Sequence, residues 1–445
     1  MIATAIHQKR SRIQPPAGMV GLFIGLAAAT PGAASPISGL PVRPWHVFIL
    51  LAFFSSLLYH LRRNRPTITR RIHLDLAVMA FAFATLLVEI INANDLNFTP
   101  DYATVTRPVF WLIVYWSVRM VLFSIEDAQR LLKGFVAPVF PSVLLGFGQV
   151  LGVDAVQQLI LQLSPDSGGF MARLEDGRLI RATALVQHWT SFGSYLCTIT
   201  AAAVSLLILS RVQKIGSELY AWMALGAAGL GALTTFTLSS IITVFAIFVL
   251  CSKAARSMSK TIPLLILIGV AGVFSVGSLL GERLDQQFAN ADASSSDLVP
   301  STLQYRYRIW QTETIPMISE RPLTGWGNNV YDVALGAGDP KRIYPVQLAW
   351  HSPESQWLNL LMNSGAIGLI GYLLILGQMA RLMIRSQLRR DHWSSKPIIL
   401  LFVLMLLAAF TAPVFTNHGL PIGLWALLGI LAAYDRRGAH EPEHD

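Results

Sequence analysis

HSPESQWLNLLMNSGAIGLIGYLLILGQM, residues 351–379, decides the fold. The stretch begins polar, turns apolar at Ser355 and stays so to Met379, and a helix needs about 20 predominantly apolar residues to cross a bilayer. Upstream, 281–354 forms a loop of about seventy residues too polar for hydrocarbon, where every backbone group must be satisfied internally. His351-Ser352-Pro353-Glu354 therefore stands where a polar loop meets a membrane helix.

The same ruler finds about twelve crossings along the chain. They are Gly18–Ala34, Trp45–Leu61, Leu74–Ala93, Val105–Ile125, Leu132–Leu151, Trp189–Leu209, Leu219–Thr235, Leu238–Cys251, Ile262–Leu280, Ser355–Met379, Ile398–Phe415 and Pro421–Tyr434. Two pairs read as tight hairpins, turning near Thr235-Phe236-Thr237 and at Thr416-Asn417-His418-Gly419. The first run is read as a retained anchor; a signal peptide ending near Ala33-Ala34-Ser35 is the alternative. The expected organisation is five helices over 1–151, an external loop over 152–188, helices six to nine over 189–280, the large external loop over 281–354, and three helices and a cytoplasmic tail over 355–445.

Composition agrees with this reading. Hydrophobic residues make up 53% of the chain, charged residues 13%, and the mean hydropathy is +0.52. A soluble chain carries about 25% charge. Most of the Lys and Arg behind the formal net charge of +9 falls on one side of the expected topology, for example Arg62, Arg63, Arg65, Arg70 and Arg71. Cytoplasmic loops have that bias. Both termini are thus expected in the cytoplasm, and the charge gives no support to nucleic-acid binding. Cys197 and Cys251 both fall in apolar runs, so no disulfide framework is available. No metal-ligand spacing of Cys and His is present, and no metal or cofactor is expected.

Against the inside bias, the external loops keep Arg173, Arg181, Arg306, Arg308 and others. Arginine presents a fixed fork of donors that matches phosphate oxygens. The plain alternative is solvated charge, or pairing with Glu175, Asp176, Asp285 and Glu313. Thr302–Ser319 reads as a helix with Arg306 and Trp310 on one face, four residues apart, and Arg308 turned to solvent. Trp310, Trp326, Trp350 and Trp357 suit a membrane–water interface. Pro322, Gly325 and Gly327 then make a turn that either lets backbone approach a ligand or is simply a turn.

His351 is the candidate base. Ser352 as N-cap and Pro353 as first residue would start a helix directly after it, and a helix N-terminus disfavours imidazolium. A neutral imidazole there could take a proton from a sugar hydroxyl while a diphosphate leaves. The alternative is a histidine bonding loop backbone. His188, at the external end of the sixth helix beside Trp189, is a secondary candidate. Gly365, Gly368 and Gly371 read as close helix packing, and Arg119, inside an apolar run, as a functional suspect or, near the cytoplasmic half, a snorkelling cation.

These residues resemble the O-antigen ligase and polymerase superfamily of bacterial membrane glycosyltransferases. The likeness rests on Arg306-x-x-x-Trp310 followed by Pro322-Leu323-Thr324-Gly325-Trp326-Gly327, on His351-Ser352 with Leu358, Leu361, Gly365 and Gly368, and on Arg181 to Leu196. Ala182, Ala184, Asn363 and Ser239-Ser240 depart from the family pattern. The resemblance implies an all-α, GT-C-like membrane fold and metal-independent, inverting transfer of glycan from an undecaprenyl-diphosphate-linked donor to a glycan or lipid-linked acceptor. Arg181 and Arg306 would hold the diphosphate and His351 would activate the acceptor at the periplasmic face of the inner membrane. The expected role is a repeat-unit polymerase, with a ligase or protein oligosaccharyltransferase beside it and a flippase or transporter as the rival of another class.

Overall fold

The computed structural model describes residues 16–33, 42–62, 73–96, 100–164, 170, 173–174, 179–212, 214–254, 263, 281, 301–328, 352–388, 395–415 and 419–435. Among the described residues the regular structure is entirely helical. The elements are α1 Ala17–Ala29, α2 Pro44–Arg62, α3 His73–Leu96, α4 Tyr102–Val121, α5 Ile125–Val136, α6 Val139–Val150, α7 Asp154–Leu163 and α8 Trp189–Val212. They continue as α9 Glu218–Thr234, α10 Leu238–Ala254, α11 Ser301–Ile309, a π-helical turn Trp310–Thr314, α12 Ile315–Glu320, α13 Gln356–Leu388, α14 Ser395–Ala408 and α15 Gly419–Asp435.

Each expected apolar run within the described residues contains a helix, and the run Ile262–Leu280 lies outside them. Among the described residues, five helices are long and apolar enough to cross a membrane: α2, α3, the α5–α6 pair read as Ile125–Val150, α8 and α13. The apolar helices α1, α14 and α15, and Leu238–Cys251 within α10, are shorter. The turn expected at Thr235-Phe236-Thr237 separates α9 from α10.

The core sits around α8. Its apolar stretch is buried throughout, as expected of a helix hydrophobic on all faces. Hydroxyls inside it are satisfied within the helix: Thr200 Oγ1 donates to Leu196 O at 2.8 Å and Ser205 Oγ to Ala201 O at 2.8 Å. By contrast α3 turns Leu76, Met79, Phe83 and Leu87 outward, a face fit for lipid. α1 packs on α5 through Gly21 and Gly25, where a Cβ would lie 2.0 Å from Leu131 O and 2.4 Å from Phe135 O. α5 is started by a reciprocal cap, in which Ser124 Oγ accepts from Asp127 N at 3.1 Å and Asp127 Oδ2 from Phe123 N at 3.1 Å. Arg119 does not snorkel: it is buried in the bundle, 3.6 Å from Asp75 Oδ2 and over the Tyr115 ring.

Several helix ends and loops are tied together at one end of this bundle. Gly32 N donates to Leu185 O at 3.0 Å, joining the end of α1 to the approach to α8. A Cβ on Gly419, at the start of α15, would lie 1.9 Å from Ser191 O in the first turn of α8, so only glycine lets the two helix starts meet. Gln356 N donates to Ala409 O at 2.9 Å and Gln356 Oε1 accepts from Phe415 N at 3.1 Å, fixing the start of α13 to the chain between α14 and α15. Asn92 Nδ2 donates to Thr324 O at 2.9 Å, bringing the end of α3 to the same place.

Candidate functional site

Two basic arms occupy that end. The first leads into α8. The chain before the helix holds Ala184 and Gln187 at positive φ, 46° and 76°, a conformation that needs outside support. Gln149 of α6 supplies part of it, its Oε1 accepting from Thr183 N at 2.9 Å and Ala184 N at 3.2 Å. His188 then caps α8. Its carbonyl accepts from Phe192 N at 2.9 Å, and its Nδ1 accepts from Thr190 N at 3.3 Å and lies 2.8 Å from Thr190 Oγ1. That arrangement leaves the ring proton on Nε2. Burial first, and then the charges of Arg181 and Arg173, hold His188 down at about 4. It is a neutral donor throughout the physiological range.

Arg181 is buried, and its guanidinium serves the α9–α10 turn: Nε donates to Thr235 O at 2.9 Å, Nη2 to Phe236 O at 3.1 Å and to Thr237 Oγ1 at 2.7 Å. A cation at a helix C-terminus meets carbonyls with no intrahelical partner. The same guanidinium lies 4.5 Å from the centre of the Trp189 ring, and that of Arg173 lies 4.6 Å from it. Arg181, Arg173 and His188 therefore gather around one indole. No helix lies over 179–188; Arg181 stands in irregular chain just before the turn at Ala184-Leu185.

The second arm is α11 with its π-turn. Arg306 and Trp310 do share a face, and both reach the segment just after His351. Arg306 donates to Glu354 Oε2 from Nε at 3.0 Å and from Nη2 at 2.5 Å, and Trp310 Nε1 donates to Pro353 O at 2.5 Å. Nη1 of Arg306 has no partner among the described residues. Arg308 is exposed. His351 itself lies outside the described residues. The expected cap is corrected by the structure. Ser352 Oγ accepts from Glu354 N at 3.1 Å, closing a local turn, and Glu354 sits at φ 51°. α13 starts only at Gln356, with Ser355 O accepting from Asn359 N at 2.9 Å. The helix dipole therefore begins farther from His351 than the residue pattern implied.

Between the arms, Pro322–Gly327 is spliced into a break in α13. Gly365 stands at φ 59°, ψ −158° inside that helix, a region open essentially to glycine alone. The backbone groups freed by the break pair with the turn. Ala366 N donates to Pro322 O at 2.8 Å, Trp326 N to Met362 O at 2.7 Å and Gly327 N to Asn363 O at 3.0 Å. Gly325 and Gly327 have φ of 64° and 89°, and a Cβ on Gly325 would lie 2.5 Å from Met362 O. The close approach they permit in this structure is to α13 backbone. Trp326 is buried with Met317 and Met362, its Nε1 on Met317 O at 2.9 Å, rather than placed at an interface. Gly371 does pack closely on a neighbour, Phe81 of α3.

Glu89 and Asn92 of α3 hold the other side of this turn. Glu89 is fully buried; its Oε2 accepts from Asn328 N at 2.8 Å and Nδ2 at 3.1 Å, and its Oε1 from Asp101 N at 2.9 Å. The residue pattern did not single out this carboxylate, although an ionisable group in an apolar run is itself a signal. Gln149, Gln356 and Glu354 were also missed, and only their partners reveal them.

Residues 221–373 match a family model described as O-antigen ligase. The matched stretch runs from α9 into α13, taking in Arg306, Arg308, Gly325, Gly327 and His351 and leaving Arg181 and His188 before it. No curated protein matches the chain.

Proposed function

We propose that this chain, whose residues 221–373 match a family model described as O-antigen ligase, transfers glycan from an undecaprenyl-diphosphate-linked donor at the periplasmic face of the bacterial inner membrane. The family supports a membrane glycan ligase or polymerase role. The observation that carries the finer reading is the docking of Arg306 and Trp310 onto Pro353-Glu354, directly after His351 in the chain. Arg181 and Arg306 supply guanidinium donors to the diphosphate. His351, as a neutral imidazole, takes the proton from the acceptor hydroxyl as that oxygen bonds to the anomeric carbon. The carbon–oxygen bond to phosphate breaks, polyprenyl diphosphate leaves, and the anomeric configuration inverts. No metal or nucleotide is required in this scheme.

Polymerisation of repeat units is our preferred form of the reaction; the ligase description of the matched family favours transfer to an acceptor such as lipid A core. Purified protein given an undecaprenyl-diphosphate-linked saccharide and acceptor, with chelator and no nucleotide, should form longer or transferred glycan. His351→Ala should reduce that rate at least a thousandfold with unchanged melting temperature. Full activity in this variant would remove His351 from the mechanism. A deletion strain that keeps single repeat units but loses long chains identifies a polymerase, and one that accumulates full chains on the lipid carrier identifies a ligase.

A further inference from the structure

Arg119 is a buried cation that the transfer scheme does not use. It stands in the last turn of α4 and meets Asp75, in the first turn of α3, with Nη1 3.6 Å from Oδ2. That is an ion pair just beyond hydrogen-bond reach. Arg119 Nε and Asp75 Oδ1 are both enclosed, and neither has a hydrogen-bond partner among the described residues. Trp116, one turn earlier in α4, also acts on the carboxylate, and the Tyr115 ring lies 4.9 Å from the guanidinium. Buried polar groups are normally hydrogen-bonded, and an ion pair withdrawn from water is costly unless its remaining donors and acceptors are met. What completes this pair must bring an acceptor to the guanidinium and a donor to the carboxylate.

Position narrows what that is. Arg119 lies seventeen residues along α4 from Tyr102, roughly 25 Å at the helical rise. Asp101 and the turn spliced into α13 are joined through Glu89 at the other end. The hydrocarbon core of a bilayer is about 30 Å thick, so the pair stands near the headgroups of the leaflet opposite Arg306. It is also not sealed: the Arg119 and Asp75 side chains keep 6% and 23% of their surface. Asp75, Met79 and Phe83 follow one another at four-residue spacing on one side of α3. Met79 and Phe83 are exposed, on the face of α3 fit for lipid. A headgroup at Asp75 would therefore continue into an acyl chain along Met79 and Phe83.

We propose that Asp75 and Arg119 form a binding site for a zwitterionic aminophospholipid, in the leaflet away from the transfer site. Its phosphate oxygens accept from the guanidinium fork, and its primary ammonium donates to the Asp75 carboxylate. The pair has no net charge, so a headgroup without net charge completes it. Phosphatidylglycerol brings the phosphate but no ammonium, and sets an anion against Asp75. Phosphatidylcholine brings a cation with no N–H to donate. This site is independent of the glycan-transfer reading.

The test is native mass spectrometry of the full chain in detergent, titrated separately with phosphatidylethanolamine, phosphatidylglycerol and phosphatidylcholine of the same acyl chains. The wild type should retain one phosphatidylethanolamine at least tenfold more tightly than either of the others. Arg119→Gln should weaken that lipid at least tenfold, and Arg119→Lys should restore part of the loss. Asp75→Asn should abolish the preference over phosphatidylglycerol, a change of selectivity that a merely structural ion pair would not produce. A wild-type chain that holds the three lipids alike overturns the site without recourse to any variant, and leaves water as what completes the pair. Selectivity that persists in both Arg119→Gln and Asp75→Asn overturns it as well, because the lipid is then bound elsewhere.

Discussion

Because Arg181 satisfies three acceptors of the α9–α10 turn, its removal acts on folding as well as on any ligand. Hydrogen bonds from a charged donor contribute about 1.5–3 kcal/mol each, and buried acceptors left unmet add to the loss. Arg181→Ala is therefore expected to lower stability by roughly 3 kcal/mol or more, read as a fall in melting temperature in detergent. An unchanged melting temperature with transfer lost would mean that the turn does not need the guanidinium. His188 gives a prediction of opposite character. With its usual value of 6.5 held down at about 4 by burial and two guanidiniums, the folded protein resists a proton that the unfolded chain accepts. Stability from this group is complete above pH 6.5 and is lost as pH falls toward 4. His188→Gln should flatten that acid limb in a melting-temperature series, and the rate profile between pH 6.5 and 8 should show no His188 titration.

At the scale of the element, α13 is two helical segments that share a turn from elsewhere in the chain. A Cβ on Gly365 would lie 2.3 Å from Leu323 C and O, in backbone space where a side chain is already strained. Gly365→Ala should expel Pro322–Gly327 from the break. Amide exchange at Trp326 and Gly327, which donate to Met362 O and Asn363 O, should then speed up at least tenfold, while amides of α8 stay as they are. The glycine spacing pointed to helix packing, and for Gly371 that is what occurs. At Gly365 the residue serves a break, because loop backbone, not a second helix, lies against it. The start of α13 shows the same limit. Ser-Pro has the residues of a helix start, yet Glu354 turns back to meet Arg306, and the helix begins afterwards.

For the molecule as a whole, Glu89 joins parts of the chain that no local pattern connects. Glu89→Ala would take the carboxylate acceptor from Asp101 N and Asn328 N, and an unmet buried donor costs about 1–3 kcal/mol. We expect a lower melting temperature and faster exchange at Asn328 in this variant; protection unchanged at that amide would show another acceptor in its place. The apolar helices were legible in the sequence, as was the α9–α10 turn, because hydrocarbon admits only long runs whose backbone bonds close within the segment. Run length and composition decide that, and both are local. The gathering of polar groups at one end was not legible. Asn92 meets Thr324 across 232 residues and Glu89 meets Asn328 across 239. Such pairs form only once helix packing has fixed which ends stand together, so the sequence determined the helices and the tertiary structure alone decided which of their polar ends face each other.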